Sequence, residues 1–563
     1  MTATPSTADV PAPRPATAPL ALLWRRELAH YPDTARRYAY LAIVVLTTIV
    51  LYYALYIQYA VATSIITHFH MTYRYFIWVS VVGNAVGAFA SLVAGLADRW
   101  GRANMVVYGL LVTGLLVLFG LPNANSKTLY LVLFALVGFV EGIVLVATPA
   151  LIRDFSPQLG RATAMGYWTM GPVLGSLVVT TVTSNTLDSS SWQDELRFAG
   201  ISALIVFLVA LAGLRELSPR LRDQIMVTLR DRALVEAKAK GLDLTEIQGQ
   251  NHWRQMMRLD VVGSAFAISV FLLLYFAAVG NFVVYFATTF GYSEQRVNAL
   301  ANWYWAANAI ALVVAGLLSD RLRVRKPFMV VGAVGSIGFT LWFALSATRP
   351  ATGYYTFAWM FVGIGVLAGF TYAPWMASFT ETVERRSPAA TATGLAVWGW
   401  IIRIVVAVSA AFVPVVVTSA TPLVEHGAQV AVAQQEAGPA LAIYTQHAQL
   451  FGELAKYPPT AIPPALQAQA VQEVGLPGLL AVQKAAQPLS VLQQYGPEVQ
   501  AAQADNPQNW RTWWFVCLAG QLLFLPFIFV MAGRWSPKRA RADAEEHQRL
   551  VDAELAALAG GEA

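Results

Sequence analysis

The chain has 563 residues, of which 57% are hydrophobic and only 12% charged. Soluble domains carry about 25% charged residues, so an ordinary soluble protein is excluded and a membrane bundle is implied. The net charge of +6 comes from basic residues set between apolar runs, which argues against a nucleic-acid surface, and the single cysteine, Cys517, rules out an intrachain disulfide.

Residues 1–20 are rich in Pro, Ala and Thr and lack the apolar core of a cleavable signal, so 1–38 reads as a cytoplasmic tail, disordered at its start. Twelve apolar runs long enough to span follow, at 39–64, 76–97, 104–122, 128–152, 162–183, 197–215, 260–288, 297–318, 328–346, 354–380, 391–418 and 512–533. With the N-terminus inside, 29 of the 38 basic residues fall on the cytoplasmic side, 8 outside and Arg403 within a span, as the positive-inside rule requires. The charged connection 216–259 divides the runs into six and six, giving halves at 39–215 and 260–533. Segment 419–511, Ala- and Gln-rich with helical stretches, is expected as an extracytoplasmic helical insert, and 534–563 as a cytoplasmic helical tail. The expected fold is therefore an all-α membrane protein of twelve transmembrane helices in two pseudo-repeats.

Two short segments recur between the halves, the signature of a transporter built by duplication. GLADRWGR (95–102) is echoed roughly 220 residues later by GLLSDRLRVRK (316–326), with Asp98 and Arg99 matched by Asp320 and Arg321. SPQLGRATAMG, which contains Arg161, is echoed by SPAATATG. Gly95, Asp98, Arg99, Gly101 and Arg102 carry a pattern that resembles the loop motif of the major facilitator superfamily (MFS), and the resemblance extends over all twelve runs. It implies two bundles rocking around a midplane site, with Asp98, Arg99, Arg102, Asp320 and Arg321 as an inside-gate latch that forms when that face is closed.

A charge at a helix centre costs about 2.5–3.5 kcal/mol on insertion scales, so the two that survive here, Glu141 in the fourth run and Arg403 in the eleventh, are candidate functional groups. A carboxylate at that depth can carry a proton. A guanidinium cannot lose its proton there and holds an anion instead. A fixed bridge between the two is the plain alternative. Tyr56, Gln58, Asn281, Tyr285, Trp305, Asn308, Tyr372 and Trp375 are further candidates to line the cavity. Gly171 and Pro172 resemble part of the Gly-Pro motif of proton-driven exporters, and equally read as a packing kink. The span-four arginine of those exporters would fall at Gly138, which puts the exporter reading in doubt and tilts the resemblance towards symporters of organic anions and metabolites.

No phosphate-binding loop, hydrolase motif or metal-ligand spacing is present in the sequence, so neither an enzyme nor a bound cofactor or metal is expected. The expectation is a proton-coupled symporter of a small organic anion, a monomer embedded in lipid, its partners being its solute and protons. Arginine outnumbers lysine 31 to 7, which points to a GC-rich bacterial genome and so to the inner membrane. An exporter of amphipathic compounds and a transporter-derived sensor using the insert are the alternatives.

Overall fold

The computed structural model describes residues 24–93, 101–155, 166, 168–219, 221, 256–386, 391–458 and 461–560. The first half comprises β1 (Glu27–Leu28), α1 (Thr34–Ala60), the short α2 (Ala62–His68), α3 (Tyr73–Val93), α4 (Arg102–Leu115), α5 (Lys127–Phe155), α6 (Gly171–Thr186), α7 (Trp192–Gly213) and β2 (Glu216–Leu217). The second half opens on a broken helix, α8 (Ser264–Phe271), α9 (Leu273–Gly280) and α10 (Phe282–Phe290). It continues through α11 (Glu294–Leu322), α12 (Lys326–Ser346), α13 (Tyr354–Arg386) and α14 (Thr391–Val416). Then come α15 (Ala420–Gln446), α16 (Ala448–Leu454), α17 (Pro464–Lys484), the 45-residue α18 (Ala486–Val530) and α19 (Pro537–Gly560).

A helix lies on each of the twelve apolar runs. Among the described residues nine are long and apolar enough to cross a membrane, ten if α8 and α9, bent by 40° at Leu272, count as one. The nine do not include α3 and α6, which end near the undescribed stretches 94–100 and 156–165. Phe89, Ile205, Ile310, Val331 and Trp359 lie exposed on the outside of the bundle, where lipid tails accept apolar surface.

Two regions carry detail that the sequence pattern does not contain. The chain before α1 is docked: Arg26 is buried and its guanidinium donates to the carbonyls of Leu211 (2.7 Å) and Leu214 (3.3 Å), closing the C-terminus of α7, where carbonyls lack helical partners. Beside it β1 pairs in parallel with β2, and Asp33 caps α1 through the amide of Arg36 (2.8 Å). At the other end of the chain, the last apolar run is the lower part of α18, which at 1.5 Å per residue is about 68 Å long, twice a bilayer core. Its upper part packs against α15, with His426 stacked on Tyr495 (3.8 Å) and Leu423, Val430, Val499 and Ala502 in one apolar cluster. The 419–511 segment is thus a helical arm rising from the bundle. We call the end of the bundle that carries it the insert end and the opposite one, which carries β1 and α19, the terminal end.

The apolar core is divided unevenly. Near the terminal end each half has its own cluster, one around Val106, Val144 and Leu151, the other around Phe271, Trp375 and Phe524. Towards the insert end a single large cluster joins Tyr53, Phe76 and Tyr130 of the first half to Tyr285, Trp305 and Trp514 of the second.

Candidate functional site

Glycines set the geometry of the site. Gly83 and Gly87 on α3 face Gly138 and Gly142 on α5 so closely that a Cβ added to Gly87 would lie 2.8 Å from the carbonyl oxygen of Gly138, and one on Gly142 would collide with that of Gly87. Small residues at four-residue spacing allow this approach. At Gly138, where an exporter carries arginine, a Cβ would already press on the backbone of Gly83, so that position has no room for a side chain. The interlock brings the Gly87 carbonyl within reach of the second half, where Nη1 of Arg403 donates to it (3.3 Å). This hydrogen bond crosses between the halves away from the insert end.

Glu141 lies on α5 between Gly138 and Gly142. It is half-buried, as is Arg403 on α14, and the two act on one another electrostatically without closing into an ion pair. Tyr52, on α1, lies within electrostatic reach of both charges and near the Tyr372 phenol. Tyr56 and Tyr59 continue the row, each within electrostatic reach of Glu141, with ring centroids 5.3 and 6.3 Å apart along Tyr52, Tyr56 and Tyr59. Across the gap Tyr275 lies near Tyr52 and Tyr372 and packs edge-on to Trp305 (5.2 Å). A small cavity lined by Tyr56, Tyr59, Ser176, Thr180, Asn298 and Trp305 lies between the halves on the insert side of this ring. A half-buried acid, a guanidinium with a single long hydrogen bond and a wall of phenol groups together can hold a proton and a small anion with an apolar body.

The remaining candidates divide. Tyr56, Trp305 and Tyr372 border the site. Trp375 is fully buried, stacked between Tyr372 (6.0 Å) and Phe379 (5.0 Å). Gln58 turns into the first half and accepts from Tyr130 (3.3 Å), and Asn308 is buried beside Tyr304. Tyr285 belongs to an aromatic core with Phe286, Phe343, Trp510 and Trp514, away from Glu141. Asn281 occupies the break between α9 and α10 and accepts from the Tyr73 hydroxyl (3.3 Å). Gly171 and Pro172 start α6; a Cβ on Gly171 would meet Thr48 at 2.9 Å, so the pair lets α6 start tightly against α1. The sequence reading missed Tyr52, Tyr59 and Tyr275, whose only signal was that they are tyrosines in runs one and seven.

The loop motif is partly visible. Gly95, Asp98, Arg99 and Arg161 lie outside the described residues. Gly101 adopts φ +91° and opens α4, a conformation glycine takes readily. Arg102 pairs with Asp154 (2.8 Å) at the end of α5, and its amide donates to Glu216 (2.8 Å). In the second half Asp320 pairs with Arg325 (2.6 Å), which also meets Glu381 (3.1 Å) at the end of α13, while Arg321 is exposed. Arg325 is therefore the structural counterpart of Arg102: each ties the start of a helix to a carboxylate ending the following one. These pairs stay within one half.

The insert end carries the cross-half bonds. Glu294, buried at the start of α11, accepts from the Thr63 hydroxyl (2.5 Å), the Ser64 amide (2.9 Å) and the Ser64 hydroxyl (2.6 Å). Asn298 donates to the Ala60 carbonyl (2.9 Å), and Asn302 accepts from Thr180 (2.6 Å) and donates to Ser184 (3.1 Å).

Comparison with known proteins places this architecture. The chain is 23% identical to the "Efflux pump radE" of Floropilus chiversii over 44% of its own length and 47% of that protein. It is 22% identical to the "Probable anion transporter 3, chloroplastic" of Oryza sativa subsp. japonica over 54% and 59%. It thus spans about half the length of the curated relatives it matches. In fold it resembles the crystal structure of a bacterial homologue of the human lysosomal transporter Spinster in an inward-facing, occupied conformation, with a TM-score of 0.53 at 15% identity, covering 88% of this chain and 97% of that one. The pattern that defines the family described as Major Facilitator Superfamily matches residues 44–410, and the chain belongs to that superfamily, a family of transporters of small solutes and not of enzymes.

Proposed function

We propose that the protein is a proton-coupled secondary carrier that takes up a small organic anion, working as a monomer in the bacterial inner membrane. The termini and the 216–259 linker face the cytoplasm and the insert faces outwards, the orientation the basic residues favour. The halves 39–215 and 260–533 rock about the level of Glu141 and Arg403, and the state described here is closed outside. The observation that carries the reading is that Glu141 and Arg403 lie half-buried within electrostatic reach and yet unpaired, so each has capacity left for a proton or an anion.

In this cycle Arg403 binds the substrate carboxylate and Glu141 carries the proton, its affinity for that proton changing with burial and with the arginine's occupancy. Uptake of an anion with a proton leaves less charge to move through the low-dielectric middle of the protein. The phenol row favours an apolar body on the solute. It also supports the second reading, export of amphipathic compounds, and one relative is named an efflux pump. The name of the other, an anion transporter, accords with the first.

Thermal stabilisation separates these readings, since a ligand that binds only the folded state raises its stability by about 2.7 kcal/mol at one hundred times Kd. The purified protein is heated with acetate, lactate, succinate, citrate, benzoate, glucose, alanine or a hydrophobic cation. Stabilisation by carboxylates that disappears in Arg403→Ala supports anion uptake. Stabilisation by the cation alone, unchanged in Arg403→Ala, supports export. Deleting 421–508 without loss of transport would count against the sensor alternative.

A further inference from the structure

The connection that joins α1 to α3, residues 61–72 with α2 inside it, belongs to the first half and is gripped at both ends by carboxylates of the second. At one end Glu294 takes three donors from Thr63 and Ser64. At the other, Glu425 of the insert helix α15 accepts the backbone amide of Tyr73 (3.2 Å), the residue that opens α3. Both accept a main-chain N–H, of Ser64 and of Tyr73. The first amides of a helix have no partner within it, and the helix dipole favours an anion there, so Glu425 completes the start of α3 from across the interface. Neither carboxylate forms an ion pair among the described residues. The titratable groups near Glu425 are His426 on its own helix, Glu498 on α18 and Arg74 on α3.

We propose that Glu294 and Glu425 form the latch that holds the insert end shut, and that the 419–511 arm is therefore a working part of the gate. The proposal rests on the rocking of the two halves set out above. Opening the insert end must separate α2 and the start of α3 from α11 and α15. Both carboxylates then exchange protein donors for water, and the amides of Ser64 and Tyr73 lose their acceptors. An interaction made in only one of two states sets their ratio. Charge-assisted hydrogen bonds are stronger than neutral ones and are worth most where water is excluded. Glu294, with three donors and a buried side chain, is the larger part of the latch; Glu425, with one longer bond and a more open site, is the smaller. The arm is anchored at both ends in the second half, continuing from α14 into α15 and from α18 into the bundle, so it moves with that half and carries Glu425 away from α3 when the halves part.

The test uses the full chain in lipid nanodiscs with spin labels on introduced cysteines; the native Cys517 is buried and stays unlabelled. Asp188→Cys and Ala351→Cys report across the insert end, Glu27→Cys and Leu322→Cys across the terminal end; all four positions are exposed. Glu294→Ala is expected to raise the ratio of open to closed distances at the insert end by roughly tenfold or more. Glu294→Gln, which keeps a carbonyl acceptor, should give a smaller rise, and Glu425→Ala a rise of a fewfold. Should Glu294→Ala fail to fold, Thr63→Val with Ser64→Ala removes the two hydroxyl donors from the other side, leaves the Ser64 amide bond in place, and is expected to give a smaller shift in the same direction. Folded variants with wild-type distances at the insert end would overturn the latch. Opening there with no matching closure at the terminal end would support the latch and contradict the rocking motion on which it rests, so the two failures are told apart.

Discussion

The two ends of the bundle are held by different chemistry. At the insert end the halves share one apolar cluster and a set of hydrogen bonds from Glu294, Asn298 and Asn302 that cross between them. At the terminal end each half keeps its own cluster, and the ion pairs seen there, Arg102 with Asp154 and Arg325 with Asp320 and Glu381, close within a half. Bonds within a half survive a rocking motion, whereas bonds between halves must break. The terminal-end pairs therefore keep each bundle rigid, and the insert-end bonds select which face is open. Arg403, reaching across to Gly87, marks the level between the two regimes.

This contrast can be broken in order of expected effect. Arg102→Ala breaks the ion pair with Asp154, whose side chains are 11% and 7% exposed; breaking a buried pair costs about 3–5 kcal/mol, and the temperature of thermal unfolding should fall accordingly while distances across the insert end in the folded fraction stay unchanged. Arg403→Ala should weaken the binding of any stabilising carboxylate about a hundredfold and Arg403→Lys about tenfold, since lysine lacks the planar fork; a titration by thermal shift reads both. Gly142→Val drives a side chain into the Gly87 carbonyl, and overpacking of this kind costs about 1–3 kcal/mol; lower stability should come with weaker carboxylate binding, because Arg403 loses the surface it rests on. Arg325→Ala is the smallest change: its partners Asp320 and Glu381 are 57% and 41% exposed, and exposed pairs contribute about 1 kcal/mol or less. A large loss of insert-end closure in that variant would contradict the division of labour between the ends.

Much of this organisation was legible in the sequence because it depends on composition. The apolar runs and the isolation of Glu141 and Arg403 follow from where charge is absent. The repeat pointed to the right loops: Arg321 aligns with Arg99, while Arg325 lies one position beyond the residue that aligns with Arg102, and the turn at Arg323 (φ +55°), which ends α11, precedes the arginine that meets Asp320 and Glu381. Tyr285 and Asn281 would share a face of one straight helix. The breaks at Leu272 and Asn281 reorient the segments, so Tyr285 enters the aromatic core and Asn281 meets Tyr73. Glu294 carried no signal, because an acid at the start of a helix is ordinary at a membrane surface. Its burial depends on Thr63 and Ser64, more than two hundred residues away, and no local pattern contains that. Nor does the pattern at Arg26 give away its docking, since its partners are carbonyls at the far end of the same half.

The central claim, that Glu141 carries the proton for an anion held by Arg403, is tested most directly in proteoliposomes with whichever labelled carboxylate stabilises the protein. Uptake driven by an inward proton gradient is compared with exchange at equal pH for the wild type and Glu141→Gln. Glu141→Gln is expected still to exchange the carboxylate but no longer to accumulate it when the gradient is imposed. Accumulation at the wild-type level in Glu141→Gln would contradict it.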